Sequence, residues 1–289
     1  MSFSQSGSSA PPQLLVYGNA WAMTELPQQP SAERWSFEQG LEKLVKAGFD
    51  GYQAPPDKAD LIRSFGLRFA SSGRISLPGE AEPLIARAAQ AGADALTAHL
   101  GWGMESDEEM DVLISTVLEA SAKHALPVYP ETHRATIFQD IWRTCGAIER
   151  FPELRFNGDF SHYYCGQEMG YRGFSVTKDY LIPILDRTRF LHGRISDGQA
   201  MQIDLSDPAS RVHLERFSEL WRSVFQTWLA QAQPGEAFIF TPELGPPSSG
   251  YSLTRPHPGG ERMELADRWR DTLELKQAAR QIFQTCLPV

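Results

Sequence analysis

Cysteine is scarce in this chain. Its 289 residues hold only Cys145, Cys165 and Cys286, an odd number with no CxxC spacing. That excludes a disulfide framework and a thiolate zinc site, and it fits a reduced, cytoplasmic protein. Long apolar runs are also missing. No stretch approaches the roughly 18 consecutive apolar residues that cross a bilayer. Residues 1–12 are rich in Ser, Gln, Gly and Pro and lack a basic and an apolar region, so they read as a disordered tail rather than a secretory signal. Positive charge is the minority, 27 Lys and Arg against 36 Asp and Glu, for a net charge of −9. Binding to phosphate backbones needs a concentrated basic face. None stands out, so neither nucleic acid nor an anionic membrane surface is expected as a partner. Short-period repeats and a glycine-rich phosphate loop are absent too.

What is present is a regular alternation. Short β-prone runs at 14–17, 49–53, 67–71, 95–99, 127–131, 155–159, 190–194 and 237–243 are separated by stretches of helical periodicity. The helical stretches are 36–47, 58–64, 80–91, 107–124, 136–150, 177–188, 212–231 and 262–283. Ser106 precedes a first turn of acids, as a helix N-cap should, and Gly92 follows the third helix as a C-cap. The fourth strand is weak by propensity, because Ala-Leu-Thr-Ala suits a helix equally. Eight successive βα units in a chain of this length predict one α/β domain over 13–289, a (β/α)₈ TIM barrel. The longer connections, 161–175 and 195–210, both leave the C-terminal ends of strands, where such barrels place their sites.

Polar residues gather at four of those ends: Glu131 after the fifth strand, Asp159 after the sixth, His192 in the seventh and Glu243 after the eighth. Glu131 and Asp159 are 28 residues apart, and Asp159 and His192 are 33 apart, each about one βα unit. Neighbouring strands of a closed barrel bring such side chains to one point at the mouth. Three carboxylates and an imidazole cannot gather there without compensation. One divalent metal ion resolves the conflict, and three oxygens with one nitrogen suit Mn²⁺, Mg²⁺, Co²⁺ or Zn²⁺. A lone carboxylate at a strand end is more often a cap or half of an ion pair; four in succession point to the ion.

Those residues, in ProGluThrHis, GlyAspPheSerHis, HisGlyArg and ProGluLeuGly, resemble the xylose isomerase-like TIM barrels, the sugar phosphate isomerase/epimerase superfamily. The resemblance implies the same four metal ligands. It also implies an enzyme that isomerises or epimerises a sugar, sugar phosphate or related hydroxy-ketone through an enediolate. By likeness to the ketose 3-epimerases, Glu131 and Glu243 would also carry protons, and His162 would contact substrate oxygens. The pattern departs from many members at the second strand, where Gln53 stands in place of a glutamate.

Arg194 and His133 each lie two residues past a ligand and share its inward face. Arg194 reads either as a substrate-binding guanidinium or as an ion-pair partner of Glu131 or Glu243. His133 reads as a substrate contact or a support to the metal, and His99 as a pocket wall. Trp21, Trp102, Phe160, Tyr163 and Tyr164 read as core packing rather than sugar platforms. The expected partner is a small carbohydrate-like molecule, with a homodimer compatible. A metal-dependent dehydratase acting on a keto-cyclitol or dehydroshikimate-like acid fits the same residues. An endonuclease IV-like nuclease fits less well, because a second Asp-x-His pair is missing. A non-catalytic sugar-binding barrel would leave the ligand set unexplained.

Overall fold

The computed structural model describes residues 10–27, 33–171, 173–260 and 262–287. Residues 1–9 of the expected tail lie outside these. At its end the Ala10 carbonyl accepts a bond from Gly235 N.

Eight parallel strands form the barrel: β1 (Gln13–Asn19), β2 (Gly51–Ala54), β3 (Arg68–Ile75), β4 (Leu96–Leu100), β5 (Val128–Pro130), β6 (Phe156–Gly158), β7 (Thr188–Gly193) and β8 (Ala237–Pro242). Each pairs with its neighbour in sequence except β5 and β6, and β1 pairs with β8. The seam between β5 and β6 closes through one bridge, Glu131 to Asn157, with Thr132 N donating to Asn157 O at 3.1 Å. The result is a nearly closed (β/α)₈ barrel, as expected.

The helices are α1 (Phe37–Lys46), α2 (Ala59–Ser64), α3 (Ala81–Gln90), α4 (Asp107–Lys123), α5 (Ile141–Arg150), α6 (Phe160–Gly166), α7 (Phe174–Thr177), α8 (Ile182–Leu185), α9 (Arg211–Leu229) and α10 (Arg268–Cys286). Capping boxes at Ser36 and Ser106 start α1 and α4, each satisfying two end donors. Asp140 and Asp267 cap α5 and α10. Among the described residues no helix is long and apolar enough to cross a membrane.

Several boundaries differ from the sequence expectation. The helix expected over 136–150 begins at Ile141, because the Asp140 side chain caps it by accepting from Arg143 N at 2.8 Å. The helix expected over 177–188 breaks into short turns around Pro183, which lacks the amide a continuous helix needs. The helix expected over 262–283 begins at Arg268, while β10 (Arg262–Glu264) pairs antiparallel with β9 (Thr254–Pro256). Part of the loop expected over 161–175 is helical, as α6.

Strand parity sorts the core. On β1, Leu15 and Tyr17 face the barrel axis with Ala70, Ala95, Tyr129, Phe190, Ala237 and Ile239, and together they plug its lower half. Val16 belongs to the larger layer between strands and helices, with Leu96, Ala98, Phe238 and Phe240. Continuing the inward parity one step upward from the plug reaches Asn19, Thr97, Glu131, His192 and Thr241. Gly193 allows this at β7, since a Cβ there would lie 2.2 Å from the Phe240 ring.

Candidate metal centre

Above the apolar plug lies a cavity of about 640 Å³, lined by His99, Glu131, His133, His192, Arg194 and Glu243 among others. One ligand atom from each of Glu131, Asp159, His192 and Glu243 lies within 4.8 Å of the others, and all four residues are buried. His192 Nδ1 is 3.3 Å from Glu131 Oε2 and 3.2 Å from Glu243 Oε2. Glu131 Oε1 is buried and has no hydrogen-bond partner. A divalent ion fits this donor set, and it would satisfy charge that the protein leaves uncompensated.

The electrostatics follow from burial and contact. Burial alone would lower His192, but Glu243 and Glu131 outweigh it and raise its pKa to about 10. Burial alone would raise Glu131, but its contacts with His192 and His99 hold it well below the usual carboxylate range. Glu243 is lowered in the same way, against burial, chiefly by His192. Asp159 goes the other way: burial raises it, against the pull of Arg194.

Arg194 is an ion-pair partner, though of Asp159 and Glu243 rather than Glu131. Its Nε and Nη2 donate to Asp159 Oδ2 at 3.1 and 3.0 Å, and Nη2 also reaches Glu243 Oε2. The guanidinium lies over the Tyr251 and Trp21 rings, 4.5 and 5.5 Å from their centroids. Its Nη1 has no partner.

Three imidazoles stack along one side. His99 and His133 ring centroids are 4.1 Å apart, and those of His133 and His162 are 3.9 Å apart. His99 Nε2 is 3.3 Å from Glu131 Oε2, and its Nδ1 lies 3.3 Å from Arg74 Nη2. Burial lowers the pKa of His133 to about 4 and that of His162 well below its usual value. Both are neutral acceptors or donors near pH 7. His162 lies behind His133 and off the cavity lining, with Nε2 3.5 Å from Asp159 Oδ2 and both nitrogens without a hydrogen bond.

Sequence reasoning missed the amides that hold this cluster. Asn157 Nδ2 lies 3.2 Å from Glu131 Oε2 and 3.1 Å from His192 Nδ1. Asn19 Nδ2 donates to Glu243 Oε1 at 2.9 Å. Inward parity from Leu15 and Tyr17 was the signal available for Asn19. Of the aromatics, Phe160, Tyr163 and Tyr164 are core, as expected. Trp21 lines the cavity instead, and Trp102 is exposed beneath the Arg74 guanidinium.

The (β/α)₈ fold is shared with solved structures that are distant in sequence. One solved structure like it is a xylose isomerase-like TIM barrel protein from Mycobacterium smegmatis in complex with magnesium, at TM-score 0.56 and 11% identity, covering 93% of this chain and 98% of that one. A probable 3-DHS dehydratase, AsbF, from Bacillus anthracis matches at TM-score 0.54 and 15% identity, covering 80% and 92%. A 3-keto-D-glucoside 4-epimerase, YcjR, from E. coli matches at TM-score 0.52 and 12% identity, covering 93% and 100%. No protein-family model and no curated protein sequence matches the chain.

Proposed function

We propose that this protein is a divalent-metal-dependent isomerase or epimerase of a carbohydrate hydroxy-ketone. The observation that carries the reading is the set of four buried ligand atoms, mutually within 4.8 Å, at the floor of a cavity large enough for a small molecule. Glu131, Asp159, His192 and Glu243 would hold the ion. When bound, it supplies Lewis-acid polarisation of a carbonyl and its neighbouring hydroxyl, which acidifies the adjacent C–H.

The protein's residues supply the rest. Glu131 and Glu243 flank His192 on different strands and are both held ionised, so each can accept a proton. One removes the proton beside the carbonyl, giving an enediolate. Return from the opposite side inverts the carbon, and return to the neighbouring carbon, with the hydroxyl proton passing to the other oxygen, moves the carbonyl. Arg194 Nη1 is a free donor for a developing oxyanion. His99 and His133 shape the cavity wall, with His99 Nε2 3.3 Å from Glu131 Oε2 and His133 Nε2 3.1 Å from the Tyr251 hydroxyl. The likeness to an epimerase and to sugar isomerase-like barrels supports this choice of chemistry.

Glu243→Gln tests it. The variant is expected to fold, because Gln retains the contact with Asn19, and to abolish solvent deuterium exchange into substrate. Retained exchange removes Glu243 from the mechanism. A dehydratase on the same barrel starts with the same proton abstraction, and the likeness to a dehydratase keeps it as the second reading. Product mass separates the two, since the dehydratase product has lost one water.

A further inference from the structure

We infer that Gln53 is a positioning residue that selects the metal-facing nitrogen of His192. The inference rests on the metal reading above.

A chain of hydrogen bonds fixes the orientation of each group in turn. Ala22 N donates to Asn19 Oδ1 at 3.0 Å, so the Asn19 amide nitrogen must face the other way. From there it donates to Gln53 Oε1 at 2.8 Å and to Glu243 Oε1 at 2.9 Å. That fixes the oxygen end of Gln53. The opposite end, Nε2, donates to Thr97 Oγ1 at 2.6 Å. Gln53 Oε1 is thus an acceptor, and it lies 3.0 Å from His192 Nε2. His192 Nε2 must carry a hydrogen, and Nδ1 is left to face Glu131 and Glu243. Asn19, Gln53, Thr97 and His192 are all buried, so water does not compete for these bonds.

The amide also matters for charge. The ligand set already holds three carboxylates, and a fourth at position 53 would deepen the like-charge conflict. An amide oxygen orients the imidazole without adding charge. Asn19 couples the same network to Glu243, so one set of bonds aligns two side chains from the neighbouring strands β7 and β8.

The test is Mn²⁺ binding to chelator-stripped full-length protein, followed by calorimetry or by the paramagnetic signal of free Mn²⁺. Gln53→Leu keeps the bulk and removes the acceptor. It is expected to weaken Mn²⁺ binding by about 10- to 100-fold, as loss of such supporting bonds does elsewhere. Gln53→Glu keeps an acceptor, with the Thr97 hydroxyl free to donate to it, and is expected to bind at least as tightly as wild type. Mn²⁺ affinity in Gln53→Leu within about threefold of wild type would overturn the inference while leaving the metal centre intact. So would a Gln53→Glu variant that binds as weakly as Gln53→Leu. A wild-type protein that takes up no Mn²⁺ would instead remove the centre itself, and this inference with it. Should Gln53→Leu not fold, Zn²⁺-loaded wild type still decides the matter by nitrogen NMR: a His192 that carries its hydrogen on Nδ1 would refute the assignment.

Discussion

On the proposed function, a divalent ion and a proton would compete for the same nitrogen of His192, and the competition would have a measurable size. Without the ion, Nδ1 sits 3.2–3.3 Å from two carboxylates and the ring is protonated, with a pKa of about 10. The ion needs the neutral ring, so each binding event at pH 7 must release one proton. The gap between pH 7 and about 10 is about 3 units, which at 1.36 kcal/mol each offsets about 4 kcal/mol of intrinsic affinity. Mn²⁺ affinity should therefore rise about tenfold per pH unit between roughly pH 6.5 and 8.5, where Glu131 and Glu243 stay ionised. Calorimetry in two buffers of different ionisation enthalpy should give about one proton released per ion. The stability of the metal-free protein should run the opposite way. The folded pKa is raised above the unfolded value of about 6.5, so the contribution is fully present below that pH and is lost as pH climbs towards about 10. A flat affinity across that range, or no proton release at pH 7, would refute the reasoning and with it the role of Nδ1.

Two substitutions probe the surroundings of the site. Arg194→Met leaves Asp159 and Glu243 buried without their guanidinium, and should cost about 3–5 kcal/mol in denaturant unfolding of the metal-free protein. Added Mn²⁺ should recover more stability in that variant than in wild type, because the ion then faces less competition; equal recovery would mean that Arg194 and the ion do not share ligands. Gly193→Ala drives a Cβ to 2.2 Å from the Phe240 ring, an overpacking expected to cost at least about 1–3 kcal/mol. Thermal unfolding of Gly193→Ala with and without Phe240→Leu should show strong coupling between the two positions, and simple additivity would count against the contact.

The barrel was legible because its signal is repeated. Each strand need only be recognised as one of eight, so even the ambiguous Ala-Leu-Thr-Ala run finds its place: Leu96, Ala98 and Leu100 face the helices, and Thr97 and His99 turn inward. The four charged site residues were legible for the same reason, since each ends a strand about one βα unit from the last. What was hidden lies outside that repeat. Arg262–Glu264 forms a short antiparallel hairpin with the nearby Thr254–Pro256, a pairing the βα pattern does not contain, so helical periodicity was extended through it. Asp267 was a readable stop, because its side chain caps the first turn of the true helix. Tyr251 reaches the site from the long segment after β8, with no spacing to flag it.

The supporting amides were hidden for a different reason. Asn19, Gln53 and Asn157 have no titratable group, and a search for chemistry by charge passes over them. Yet charge is what makes them necessary. Three carboxylates crowd one imidazole and one guanidinium, and two cations cannot occupy all of their oxygens, so neutral donors must hold the rest. Asn19 occupies Glu243 Oε1, and Arg194 takes Oε2. Asn157 lies on Glu131 Oε2, and Ser161 binds Asp159 Oδ1 through both its amide and its hydroxyl. Neutral donors thus hold the carboxylates in register without adding to the charge they manage. This division explains why the glutamine at position 53 is compatible with an ion-binding site although it can neither ligate as an anion nor act as a base. Its oxygen orients a ligand that already has enough negative charge around it.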